Sequence, residues 1–181
     1  MSCGVGQGIS IDCAALLRVG GVDKRAYVFN VSDVVYTTDG NGYITAIDFP
    51  GYEGLYKIQS TKQSHSGGYN LVVQDPGGNK YFSHEVIIKC FPDDPTEDAV
   101  IHDLAVASLG VILETNNNQF IMYGKDNGLG MTAATQNTGQ ASASDISDVL
   151  TFTGDELAKP KRILLSPGYQ TTLNYLETLV V

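Results

Sequence analysis

The sequence predicts a mainly β fold: an antiparallel β sandwich or barrel with one packed α-helix and long arms and loops. Three observations predict it. Gly is plentiful, at 20 of 181 residues, and ten Tyr and six Phe accompany it, a composition of short strands and many turns. Two strong turn signals, Asp39-Gly40-Asn41-Gly42 and Asn116-Asn117-Asn118, each lie between β-prone runs. A single convincing helix interrupts a long series of strand patterns, an order expected of layered β structure with a packed helix. At this length, about 70% of the unfolded surface is buried on folding, so one domain spanning 1–181 needs no disulfide or metal to hold a core.

Along the chain, residues 1–15 read as an N-terminal arm. Its run Gly4 to Ile9, GVGQGI, resembles a phosphate loop only superficially, because no strand precedes it and no GK[ST] follows. The opening MSCGVGQGIS has neither a basic n-region nor an apolar h-region, so no secretory signal is expected. From Lys24 to Phe49 the pattern is strand, turn, strand, with Tyr27, Phe29 and Val31 alternating with polar or small neighbours. The turn at Asp39 is not an EF-hand, since the twelfth position is Pro50 rather than Glu.

Leu55, Tyr56 and Ile58 predict a strand, residues 60–68 an exposed loop, and Tyr69 to Gln74 a short buried strand. Asp75-Pro76-Gly77-Gly78-Asn79 is a turn with Pro at a compatible position. Lys80 to Phe91 follows as a long strand with Phe82, Val86, Ile88 and Cys90 on one face and Ser83, Glu85 and Lys89 on the other. Asp94 as N-cap, Pro95 at N1 and Glu97 at N3 start the helix, and Gly110 is its expected C′ stop. Val100, Ile101, Leu104, Ala105 and Ser108 give it an apolar stripe.

A second hairpin joins Val111–Thr115 to Gln119–Tyr123. Residues 125–148 hold only Leu129, Met131 and Ile146 as large apolar side chains and read as a long loop, an unusual feature inside a compact domain. Val149–Thr153 and Arg162–Leu165 read as strands around a turn from Gly154 to Pro160. Residues 166–181 read as a C-terminal arm, in which Leu173, Leu176 and Leu179 have helical spacing weakened by Thr and Val.

Lys and Arg number 11 against 20 Asp and Glu, a net charge of −9. So acidic a chain lacks the basic stripe that clamps phosphates, and no apolar run approaches the ~20 residues of a membrane span. The three cysteines, Cys3, Cys13 and Cys90, lack paired spacing, so reduced thiols are expected.

No catalytic or cofactor motif stands out. His65, His84 and His102 have no second ligand at metal-binding spacing, and neither GxSxG nor HExxH occurs. His65 lies in a polar loop, His84 on the apolar face of its strand as a core or interface histidine, and His102 on a solvated helix face. The acid pairs Asp93-Asp94 and Asp155-Glu156 flank turns. The expectation is a non-enzyme with no metal and no cofactor. Arms and loops without their own core are what symmetric assemblies use to reach neighbouring subunits.

The run LGVILETNNNQFIMYGKDNGLGMTAATQNTGQA, residues 109–141, followed by VLTFTGDE, residues 149–156, resembles tail tube proteins of tailed bacteriophages, especially those of Bacteroidota. The matching features are a helix leading into a strand, an Asn/Gly turn, a strand ending at Gly124, a loop holding Gly128, Gly130 and Thr138-Gly139, and the strand Thr151 to Glu156. The likeness covers the C-terminal half. It departs before the last long strand, where Asp145-Ile146-Ser147-Asp148 replaces the usual Asp-x-x-Gly-Tyr.

The resemblance implies a virion structural subunit, assembled in the host bacterial cytoplasm. Rings, usually of six, would stack into a hollow tube around a channel for DNA. The implied partners are other copies, further tail proteins and passing DNA without specific binding, with no membrane anchor. A tail-end or neck ring protein belongs to the same class. The alternatives are a β-sandwich virion decoration or carbohydrate-binding module, or a small hydrolase.

Between Asp75 and Thr115 stand eight acids and only Lys80 and Lys89 as bases, which places −6 of the chain's −9 there. A channel that passes DNA should not be basic. Glu85 and Glu114 are therefore the expected acidic residues facing the lumen.

Overall fold

The computed structural model describes residues 22–32, 34–51, 53–60, 64–74, 78–91, 95–137, 147–165 and 167–181. In chain order the elements are β1 (Val22–Asn30), β2 (Val35–Thr38), β3 (Ile44–Asp48), β4 (Tyr56–Gln59), β5 (Ser66–Val73), β6 (Lys80–Cys90), α1 (Pro95–Val106), β7 (Leu109–Thr115), β8 (Gln119–Tyr123), β9 (Gly130–Asn137), β10 (Ser147–Glu156), β11 (Lys161–Ile163) and α2 (Tyr169–Thr178). They form two open sheets, neither closed into a barrel. The larger has the order β2-β3-β11-β8-β7-β1-β4, the smaller β5-β6-β10-β9. The fold is mainly β, as predicted, with a second helix in addition to the expected one.

Three layers result. Between the sheets, Val28, Val111 and Leu113 meet Val86, Ile88, Leu150 and Phe152 in one apolar cluster. On the other side of the larger sheet, Tyr27, Phe29, Ile112 and Met122 pack beneath Leu173 and Leu176 of α2. Both faces of β1 and β7 are therefore covered. Ala26 to Phe29 and Leu109 to Glu114 are buried without a break, instead of alternating.

The expected hairpins form where the turn residues place them. The Asp39 carboxylate accepts the N–H groups of Asn41 and Tyr43, and Gly42 takes φ +82° between β2 and β3. Asn118 takes φ +57° between β7 and β8, a conformation Asn tolerates better than most residues. Gly110 is not the helix stop the sequence predicts. Helix α1 ends at Val106, and Gly110 lies in β7, where a Cβ would come 2.1 Å from Cζ of Phe29. Its role is close packing against that ring.

Several other expectations need correction. Residues 125–148 are not one loop: Gly130–Asn137 pairs along β10 as β9, because Thr and Ala suit a pleated edge even without large side chains. The predicted loop at 60–68 ends early, since β5 begins at Ser66. This strand is exposed, not buried, along most of its length. Strand β10 runs on through Gly154 to Glu156. In α1 the buried stripe narrows to Leu104 with Ile101 beside it, while Val100 and Ala105 are exposed.

The C-terminal segment folds back on its own chain. Leu55 donates its N–H to Leu179 and accepts that of Val181. The Tyr175 hydroxyl bonds both main-chain groups of Ile47, and Thr172 Oγ1 accepts the Leu165 N–H. The N-terminal arm at 1–15, with Cys3 and Cys13, the cap at Asp94 and Thr138-Gly139 lie outside the described residues.

Candidate functional site

The smaller sheet stands out for what does not cover it. Its inner face is set by β6 and β10, where Phe82, His84, Val86, Ile88 and Cys90 alternate toward the larger sheet and lie opposite Glu156, Gly154, Phe152, Leu150 and Asp148. The outer face carries the intervening residues: Tyr81, Ser83, Glu85, Ile87 and Lys89 on β6, Val149, Thr151, Thr153 and Asp155 on β10, Ser66, Gly68, Asn70 and Val72 on β5, and Ala133 and Thr135 on β9. Among the described residues no element packs over this face. It mixes small and polar residues with the partly buried Val72, Tyr81, Ile87 and Val149, and it has no basic surplus.

The sheet's two edges have the same character. Strands β5 (SGGYNLVV) and β9 (GMTAATQN) are each eight residues long, with neither a charge nor a proline. Residues 66–71 and 132–136 are exposed, and Leu71 and Val73 are each 54% exposed. Monomeric proteins protect edges with short strands, Lys or Pro. The larger sheet conforms: its edges β2 and β4 are four residues each, and β4 carries Lys57. The edges of the smaller sheet do not. Three antiparallel pairings separate β5 from β9, so the two edges run in opposite directions.

The two predicted lumen residues part company. Glu85 is exposed on the outer face, opposite Thr153 on one side and Gly68 on the other. Glu114 is buried on the other sheet, so it presents no carboxylate to solvent. Its carboxylate takes a hydrogen bond from the Tyr169 hydroxyl of α2 and lies 3.4 Å from the Arg25 guanidinium. The signal for this burial was available in LGVIL, an unbroken apolar run of the kind a doubly covered strand produces. Nearby, Glu177 accepts bonds from Tyr27 and Lys57, tying the last turns of α2 to β1 and β4. Burial alone would raise the Glu177 pKa, but the Lys57 and Tyr27 bonds outweigh it and hold the carboxyl below its usual value.

The histidines are structural. His102 is exposed on α1, as expected. His65 is buried, contrary to its predicted polar loop, and its Nδ1 accepts the Lys89 N–H at 3.3 Å. His84 is buried on the inner face, as predicted. Its Nδ1 accepts the Gly124 N–H at 3.3 Å, so Nε2 carries the proton and donates to the Ala158 carbonyl at 3.0 Å. The rings of Tyr69 and Tyr123 stand edge-on to it.

Burial lowers the His84 pKa, against smaller raising effects from Ala158 and Glu156. Below the ordinary value of 6.5 the unfolded chain takes up a proton that the folded chain refuses. His84 is therefore expected to leave stability unaffected above about pH 6.5 and to lower it as pH falls from there toward the folded-state pKa. Urea midpoints at pH 7.5 and 5.5 check this. The wild type should lose more across that interval than His84→Gln does, and equal losses would contradict the assignment.

The pair Asp155-Glu156 is not an acid–base pair. Asp155 is exposed, whereas Glu156 is buried and accepts the N–H groups of Asp126, Asn127 and Gly128 at 2.9–3.2 Å, fastening that loop to β10. Among the described residues no group of three or more His, Cys, Asp or Glu could hold a metal ion, and no helix is long and apolar enough to cross a membrane. Cys90 packs against the inter-sheet cluster, and its thiol donates to the Asp148 carbonyl at 3.7 Å.

In comparisons with known proteins, no family model, no curated protein and no solved structure matches the chain.

Proposed function

We propose that this chain is the repeating structural subunit of a hollow tube of the phage-tail type, in which β5 of one copy pairs with β9 of the next. The carrying observation is the pair of long, uncharged, proline-free edges on one four-stranded sheet. Their opposite directions make head-to-tail repetition an antiparallel pairing, and repetition about an axis closes a ring. Six copies, the number the resemblance implies, would contribute about 24 strands, more than the 16–18 that already leave an aqueous channel in a barrel.

The outer face of the smaller sheet would line that channel. Its Ser, Thr and Asn side chains suit water beside the partly buried Tyr81, Ile87 and Val149, and Glu85 and Asp155 against Lys89 leave it without the basic surplus that would hold DNA. Of the eight acids between Asp75 and Thr115, Glu97, Asp98 and Asp103 belong to α1 and Glu114 is buried. A weakly acidic wall of mixed polarity replaces the strongly acidic one that the sequence predicts. On this reading the chain acts in a virion tail, performs no catalysis and lets DNA slide in hydrated contact.

The double substitution Leu71→Lys, Val73→Lys tests the edge. Both side chains are exposed, so folding stability should move by no more than about 0.5 kcal/mol. Two lysines on the edge strand should abolish self-association in sedimentation velocity. A variant that assembles as the wild type does would rule out β5 as the joint.

A further inference from the structure

Beside the β5 edge, on the inner side of the smaller sheet, a cleft of about 370 Å³ opens between the two sheets. Tyr43, Tyr69 and Tyr123 line it together with Lys159, Lys161 and Arg162. These are three of the eleven bases of a chain with net charge −9. Among the described residues no carboxylate lies within ion-pair distance of any of the three. Tyr69 is half-exposed at the mouth, and Tyr123 is buried against His84 behind it. An unneutralised cationic cleft with aromatic walls is built for an anionic partner with apolar contacts of its own.

At the opposite edge of the same sheet lies such a partner. Helix α1 packs beside β9 and contributes Leu104 to the inter-sheet cluster, so it sits on the inner side too. It carries Glu97, Asp98 and Asp103 with no Lys or Arg, and it exposes Val100 and Val106. Continuing the sheet from β5 into β9 of the next copy brings that copy's α1 to the side where the cleft opens.

We propose that the cleft takes the acidic helix α1 from a second copy of this chain, a contact that rests on the edge-paired reading and deepens it. The edge pairing supplies main-chain bonds without selectivity. The charge contact selects direction: a β9 edge arrives with an acidic helix beside it, whereas a β5 edge arrives with a second basic cleft, and like charges repel. The device permits head-to-tail growth and disfavours the face-to-face dimer that would stop it. The exposed Val100 and Val106 offer apolar cover for Leu71 and Val73, which the isolated chain leaves open.

The test uses two full-length variants and sedimentation velocity across a salt series. One reverses the cleft: Lys159→Glu, Lys161→Glu, Arg162→Glu. The other reverses the helix: Glu97→Lys, Asp98→Lys, Asp103→Lys. Each alone should associate more weakly than the wild type by about tenfold or more at low salt, with the difference shrinking as salt rises. A 1:1 mixture restores opposite charge at every cleft–helix contact and should recover wild-type association. A cleft variant that assembles as the wild type does would overturn the contact while leaving the ring reading intact. A mixture that stays dissociated would overturn it as well. Recovery into a discrete dimer with no ring would uphold the contact and overturn the ring. A wild type that is monomeric throughout would overturn both.

Discussion

Replacing Phe152 with alanine is expected to destabilise the fold by about 3–5 kcal/mol, the range for a large aromatic removed from a closed core. Phe152 is fully buried on the inner face of β10, at the centre of the cluster that joins the two sheets. It lies opposite Val86 on one side and Met131 on the other, so both neighbouring strands pack on its ring. Neither backbone can close the gap without breaking the ladder that holds it, and most of the cavity should persist. At this chain length each kcal/mol is worth roughly 2–4 °C in Tm. Urea unfolding should show a lowered midpoint with little change of slope, measured at a dilution where association adds nothing. A loss under about 1 kcal/mol would mean that the two sheets do not pack as described.

Leu176→Ala is expected to cost about 2–5 kcal/mol and to loosen α2. The helix has ten residues, and its N-cap Gly168 offers no side-chain bond. A helix that short is marginal in water, so packing must hold it. Leu176 is its fully buried apolar anchor, set into the cluster with Phe29, Ile112 and Met122. Loosening α2 would also unseat Tyr169 from Glu114, leaving a buried carboxylate with Arg25 alone. Hydrogen exchange of the α2 amides should rise together with the loss of global stability. Protected α2 amides and an unchanged midpoint would show that the C-terminal segment draws its stability from elsewhere.

Much of the strand order was legible because turn chemistry is local. Asp39 to Gly42 and Asn116 to Asn118 carry their conformations in their own side chains, and the hairpins around them form where expected. Facing was less legible, because it depends on what covers a strand. Glu114 follows a run that is apolar on both faces, yet only the docking of α2 makes it a buried residue. Strand β9 was not legible because an edge strand that pairs on one side only, with β10, needs no large apolar residues of its own. Helix α2 was weakened in the sequence by its Thr residues. One of them, Thr172, accepts the Leu165 N–H and donates to the Gly168 carbonyl, a tertiary use that propensity does not register. The edges and the cleft carry no motif. Their signal is an omission, the missing charge on β5 and β9, which acquires meaning once both prove to be edges of one sheet.

The most direct test of the account is electron microscopy of the concentrated wild-type protein, taken to a resolution at which strands are traced. The expected result is closed rings or stacked tubes in which β5 of each copy pairs antiparallel with β9 of the next. The face bearing Glu85, Thr151 and Thr153 should line a hydrated central hole. Discrete particles of monomer size, or rings whose smaller sheets face outward with β5 and β9 unpaired, would contradict it.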